Sequence, residues 1–151
     1  MRQTIDVGSN VRVTVTDAVT GELLHEQEHH NLVVDAGLNL LRDFLDGDAV
    51  TGITHFGYGT GTNAVTAADT TLQTETARPA LTSKTGTVSK AWTGTYFLSS
   101  TTGNGNTYGE AGLFTAASGG TMFARVKLSP VIVKTSSIAV TFSWTINLGA
   151  S

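Results

Sequence analysis

Ile138, Val140, Phe142, Trp144, Ile146 and Leu148 alternate with Ala139, Thr141, Ser143, Thr145 and Asn147. A period of two is the repeat of an extended strand with one buried face, and a helix cannot gather those apolar side chains on one side. The stretch from Ile132 to Leu148 therefore reads as one long strand. Residues 10–16 repeat the pattern, with Val11, Val13 and Val15 against Arg12, Thr14 and Thr16. Asp17-Ala-Val-Thr-Gly21 then reads as a turn, with Gly21 free to take positive φ. A second strand from Glu22 to about Val33 would close an antiparallel hairpin.

Asp35-Ala-Gly-Leu-Asn-Leu-Leu-Arg-Asp-Phe-Leu45 breaks that texture. Leu38, Leu41 and Leu45 recur at helical spacing, with Phe44 beside them. Asp35 suits the N-cap and the positive helix start, and Gly47 sits where a C-cap is needed. One helix over about 35–46 is expected, its apolar stripe laid across a sheet.

Strand patterns return at Ile53–Tyr58, Thr85–Ser89, Ala91–Ser99, Tyr108–Thr115 and Thr121–Leu128. Asn104-Gly105 offers type I′ turn chemistry, and Ser118-Gly-Gly120 a second tight turn. Residues 60–80 carry no period and read as an ordered loop, with one helical turn available at Asp69–Leu72. Short strands punctuated by turns predict a mainly β chain: an antiparallel β-sandwich or partly closed barrel with one α-helix. The expected division is an N-terminal arm over 1–9 and a single β domain over 10–151.

Composition narrows the function classes. The chain has 151 residues, a length typical of one domain. Its net charge of −3 disfavours a bulk binder of nucleic acid. Cysteine is absent, which removes disulfides, thiolate metal ligands and a thiol nucleophile. No apolar run approaches the roughly 18–20 residues of a membrane helix, and the start carries no signal-like apolar core.

The chemistry-bearing residues lend themselves to structural readings. In His25-Glu-Gln-Glu-His-His30, an extended chain puts His25, Gln27 and His29 on one face. It also separates His25 from His29 by about 13 Å, too far to share one zinc ion. Gly57-Tyr-Gly-Thr-Gly61 lacks both phosphate-loop spacings and reads as backbone in close approach to a neighbour. No Gly-x-Ser-x-Gly elbow occurs. Asp46/Asp48 and Glu22/Glu26 would serve glycoside chemistry only by flanking a cleft. No catalytic, cofactor-binding or metal-binding residue is assigned. Glu110 is different, an acid in a run of small and apolar residues. If buried it needs a partner, and Arg125 on the next strand is the candidate for a structural ion pair.

The faces opposite the apolar stripes are rich in Thr, Ser, Asn and Ala and poor in Lys. Such a face can be covered by another protein without the large desolvation cost of ions, and it lacks the lysines that defend exposed sheet edges. Assembly is the expected use of that surface.

Several segments carry a resemblance. Thr20-Gly-Glu22, His30-Asn-Leu-Val-Val-Asp-Ala-Gly37, Ile53-Thr-His-Phe-Gly-Tyr-Gly-Thr-Gly-Thr62 and Thr66-Ala-Ala-Asp-Thr-Thr-Leu72 resemble tailed-bacteriophage virion structural proteins. Glu110-Ala-Gly-Leu-Phe114, Met122-Phe-Ala-Arg125 and Phe142-Ser-Trp-Thr-Ile146 continue the resemblance in order. It implies a non-enzymatic building block of the virus particle, made in the host cytoplasm and carried on the virion surface. A small freestanding β module suits a capsid decoration (cement) protein, a homo-oligomer with a trimer favoured, binding the major capsid protein or another virion protein. No cofactor, nucleic acid or membrane is implied. The contact residues expected are Arg2, Thr4 and Asp6 of the arm, Tyr58, Thr62 and Asn63, and Asn104, Asn106 and Tyr108. The alternative is a tail or fibre module binding a receptor or carbohydrate, with Trp92, Tyr96 or Tyr108 turned outward. A hydrolase is the third reading and requires two carboxylates converging in a deep pocket.

Overall fold

The computed structural model describes residues 5–86 and 89–150. They form a mainly β, sandwich-like fold of two open antiparallel sheets with one helix, and neither sheet closes on itself as a barrel would. The chain divides into two compact units, one for each sheet.

Sheet I has the order β2-β1-β10-β7-β6. Its strands are β1 (Ile5–Asp17), β2 (Leu23–His30), β6 (Ser83–Thr85), β7 (Ala91–Leu98) and β10 (Ile138–Ala150). The alternating apolar residues of its strands meet on one face. Val11, Val13 and Val15 stand opposite Trp144, Phe142 and Val140, and all six are buried. Tyr96 and Leu98 extend the same apolar face across β7. The Trp144 indole N–H donates to the Ser9 hydroxyl at 2.8 Å, which gives this fully buried ring its polar partner.

Two strand expectations change here. Ile5–Ser9, expected within the arm, continue β1, because β10 runs on to Ala150 and supplies a partner as far as Ile5. The single strand expected over Ile132–Leu148 is broken. Ile132 and Val133 end one strand, and Ile138 begins the next. Thr135-Ser-Ser137 interrupts the alternation, and its hydroxyls serve a turn: the Ser137 N–H donates to the Thr135 hydroxyl at 3.4 Å.

Sheet II has the order β3-β9-β8-β4-β5. Its strands are β3 (Leu32–Val33), β4 (His55–Gly59), β5 (Glu75–Ala77), β8 (Thr107–Phe114) and β9 (Met122–Val133). The strand expected over Glu22–Val33 therefore serves both sheets, passing from sheet I to sheet II at Asn31. Asp69–Leu72 form no helical turn; a hydrogen-bonded turn at Thr66–Asp69 stands there instead. Gly119 and Gly120 take positive φ in the turn between β8 and β9. Gly105 also has positive φ but Asn104 does not, so the type I′ geometry expected there is absent.

Helix α1 spans Asp35–Asp46. Its N-cap is Val34, with no side-chain cap, and Asp35 is instead the first helical residue. Gly47 closes the other end with φ of 91°, and its N–H reaches the carbonyls of Asp43 and Phe44. Gly37 lies on the backbone of β9, where a Cβ would come within 2.3 Å of the Phe123 carbonyl oxygen. Ala36 packs against the cluster of Val34, Leu72, Phe114 and Met122. The stripe expected to lie across the sheet does so only in part, since Leu38, Phe44 and Leu45 are exposed.

Candidate functional site

Glu110 sits in the middle of β8 and is fully buried. Its Oε2 accepts from the Arg125 guanidinium, from Nη2 at 2.9 Å and Nε at 3.2 Å. The expected ion pair is thus formed, side-on, from neighbouring strands of sheet II. The same carboxylate also gathers loop backbone. The Gly61 N–H donates to Oε1 at 3.2 Å, Thr74 N–H to Oε1 at 2.7 Å, and Gln73 N–H to Oε2 at 2.9 Å.

Arg125 extends the network outward. Its Nη1 donates to Asp69 Oδ2 at 2.7 Å and to the Ala64 carbonyl at 3.3 Å, and Nη2 donates to the Asn63 carbonyl at 3.4 Å. Asp69 in turn accepts from the Thr66 N–H at 2.9 Å and hydroxyl at 2.7 Å. Burial pushes the Asp69 carboxyl up, but the Thr66 donors and the Arg125 charge together hold it below its ordinary value. Gln73 Oε1 accepts from the N–H groups of Thr62 and Asn63, both at 2.9 Å.

The loop without sequence period is therefore ordered by side chains doing the work of a strand partner. Every N–H group of the guanidinium is committed, and the carboxylate accepts on both oxygens. Such a saturated node is built to hold a fold in one arrangement. The Gly57–Gly61 series supplies the room. A Cβ on Gly59 would come within 2.1 Å of the Thr74 carbonyl oxygen, and one on Gly61 within 2.4 Å of Glu110 Oε1. The glycines serve close backbone approach, as expected from their spacing.

Asp69 and Gln73 were not singled out from the sequence. The Thr66-x-x-Asp69 spacing is the available signal, since a Thr and an acid three apart can bond each other's groups as in a capping box. Gln73 carries no comparable signal.

Lys134 is also missed by sequence. It is fully buried in the first unit, where Nζ donates to Asn104 Oδ1 at 2.7 Å and to the Thr135 carbonyl at 3.0 Å. Among the described residues no carboxylate pairs with it. Burial lowers its pKa from the usual lysine value.

The histidine cluster lies on β2, an edge of sheet I. Gln27 is buried between His25 and His29 and hydrogen-bonds both rings. On the other face Arg12 lies 3.5 Å from Glu26 and 3.6 Å from Glu28. Among the described residues no group of three or more His, Asp or Glu is placed to hold a metal ion.

The contact residues expected from sequence divide. Asp6, Thr62, Asn63 and Asn104 are exposed, and Asn106 is half-buried. Tyr58 and Tyr108 are not surface residues. They are 2 % and 1 % exposed and meet edge to face, ring centres 4.9 Å apart. Both stand on the buried side of sheet II, where neighbouring strands bring the rings together. Arg2 and Thr4 lie outside the described residues. Of the aromatics needed outward by a sugar-binding module, Tyr96 and Tyr108 are buried and Trp92 is half-buried.

The outward side of sheet I carries polar residues in register. Thr14 stands opposite Thr141, and Thr141 opposite Phe97. The next rank runs Arg12, Ser143, Thr95, Ser83, and the one after it Asn10, Thr145, Thr93, Thr85. The Thr93 and Thr145 hydroxyls bond each other at 3.2 Å. The formal charges of this face lie on β1 and β2, at Asp6, Arg12, Glu26 and Glu28, leaving a hydroxyl array over β10, β7 and β6. No family model, curated protein or solved structure matches the chain.

Proposed function

We propose that this chain is a structural virion protein of a tailed phage, a capsid decoration subunit that forms trimers and binds capsid subunits on the particle surface. The hydroxyl array on sheet I carries the reading. Interstrand register lines up Thr and Ser side chains over β10, β7 and β6, and their burial in an interface removes few charges from water. A partner offering a similar face could satisfy the hydroxyls by reciprocal hydrogen bonds, since each hydroxyl both donates and accepts. The particle gains stability by linkage, because a subunit that binds only the assembled shell shifts the equilibrium toward it. The network of Glu110, Arg125 and Asp69 supports the role by fixing the 60–74 loop, which presents Thr62 and Asn63 at the surface.

The test is co-sedimentation of the purified protein with phage capsids lacking it, read with native mass spectrometry of the free protein. A trimer that pellets with capsids and raises their resistance to heat is the expected result. A protein that stays in the supernatant, or that binds soluble glycans and not capsids, contradicts the proposal.

A further inference from the structure

Helix α1 carries more apolar surface than sheet II covers. Ala36 and Gly37 lie against the sheet, whereas Leu38 is 42 % exposed, Phe44 66 % and Leu45 84 %. Leu38, Leu41 and Leu45 follow the i, i+3, i+7 spacing and so form one stripe, in which Leu41 is half-buried and Leu38 and Leu45 are exposed. Contiguous apolar surface rimmed by polar groups marks an interaction surface more often than single exposed leucines do.

The charges at the C-terminal end of the helix are placed against its own field. Asp43 and Asp46 occupy the last turn, with Asp48 just beyond, where the helix dipole already makes the end negative. No basic residue stands in that last turn. Arg42, the helix's cation, is held by Asp43, with Nε donating to Oδ1 at 3.0 Å. An open groove of about 560 Å³ adjoins this end, lined by Leu40, Asp43, Asp48 and Val50 among others.

We propose that the exposed flank of α1 docks a cationic amphipathic segment of a different protein. Its apolar side chains would cover Leu38, Leu41, Phe44 and Leu45. Its Lys or Arg side chains would reach Asp46, Asp48 and the negative end of the helix. The charge pattern selects this occupant. A second copy of the chain brings another acidic helix end whose one arginine is already committed. The inference needs no capsid and stands apart from the virion reading.

Fluorescence anisotropy with a labelled amphipathic Leu/Lys peptide tests it, alongside a Leu/Glu peptide and a Ser/Lys peptide as controls. The Leu/Lys peptide should bind, more weakly as salt rises, and neither control should. Phe44→Ser with Leu45→Ser should weaken binding about tenfold or more, with an unchanged thermal melt because both side chains are already exposed. Asp46→Lys with Asp48→Lys should weaken it as well. Equal binding of all three peptides, or no effect of either double substitution, overturns the proposal. So does self-association in sedimentation velocity that the Phe44/Leu45 substitutions abolish, which would make the occupant a second copy.

Discussion

The buried charges of this protein have opposite circumstances. Glu110 and Arg125 are mutually paired and surrounded by hydrogen-bond partners, whereas Lys134 meets only the neutral oxygens of Asn104 and Thr135. Removing one member of a buried pair strands the other, at a cost of about 3–5 kcal/mol. Glu110→Gln should lose that much stability in urea denaturation. Lys134→Met should be neutral or stabilising near pH 7 in the same assay, because it removes a desolvated cation with no anionic partner. Acid should weaken the fold in two windows. The folded pKa of His29 is lowered by burial, so unfolded chains take up a proton first, and stability falls as pH drops below about 6.5. Asp69 is also lowered, so its stabilisation is present above about pH 3.9 and is lost as pH falls through its folded value. Denaturant midpoints measured from pH 8 to pH 2 should show both declines, and His29→Gln should remove the upper one. The Glu110 pairing was legible because an acid amid Ala, Gly, Leu and Phe demands a cation and Arg125 stands on the next strand. Lys134 was not, since a lysine beside a turn is ordinarily solvated.

Among the elements, the 60–74 loop is the sharpest test of how side chains replace secondary structure. The amides of Gly61, Gln73 and Thr74 end on the Glu110 carboxylate, so hydrogen exchange there should be as slow as in neighbouring strands. In Glu110→Gln these amides should exchange fast, ahead of the β1–β10 amides. Gly59→Ala should destabilise by about 1–3 kcal/mol or more, because its Cβ would meet the rigid Thr74 backbone. Melts that match the wild type would refute the close-approach role of that glycine. The helix shows what periodicity can and cannot reveal. The spacing of Leu38, Leu41 and Leu45 marked out α1 from Asp35 to Asp46. Periodicity shows that an apolar arc exists but not how much of it the chain's own sheet can cover. The break at Thr135-Ser-Ser137 was missed for a related reason, as strong alternation on both sides masked a hydroxyl-capped turn.

At the scale of the whole chain, the two-sheet architecture was legible as a class and hidden as a topology. Alternation in β1 and β10 reveals half-buried strands but not that they pair from Ile5 opposite Ala150 to Asp17 opposite Ile138. Nor could it show that β2 and β3 belong to different sheets, separated by Asn31 alone. The hydroxyl face was readable in part. Thr141, Ser143 and Thr145 share a face by alternation, but their alignment with Thr93 and Thr95 depends on a register between distant segments. The proposal that other subunits cover this face rests on that alignment. The direct measurement is the solution mass of the wild type beside a Thr93→Lys, Thr145→Lys double variant, with circular dichroism to confirm that both are folded. The expected result is a trimer for the wild type and a folded monomer for the variant, because two lysines would have to be desolvated at the interface. A wild type that is monomeric at every concentration, or a variant that keeps the wild-type mass, would contradict it.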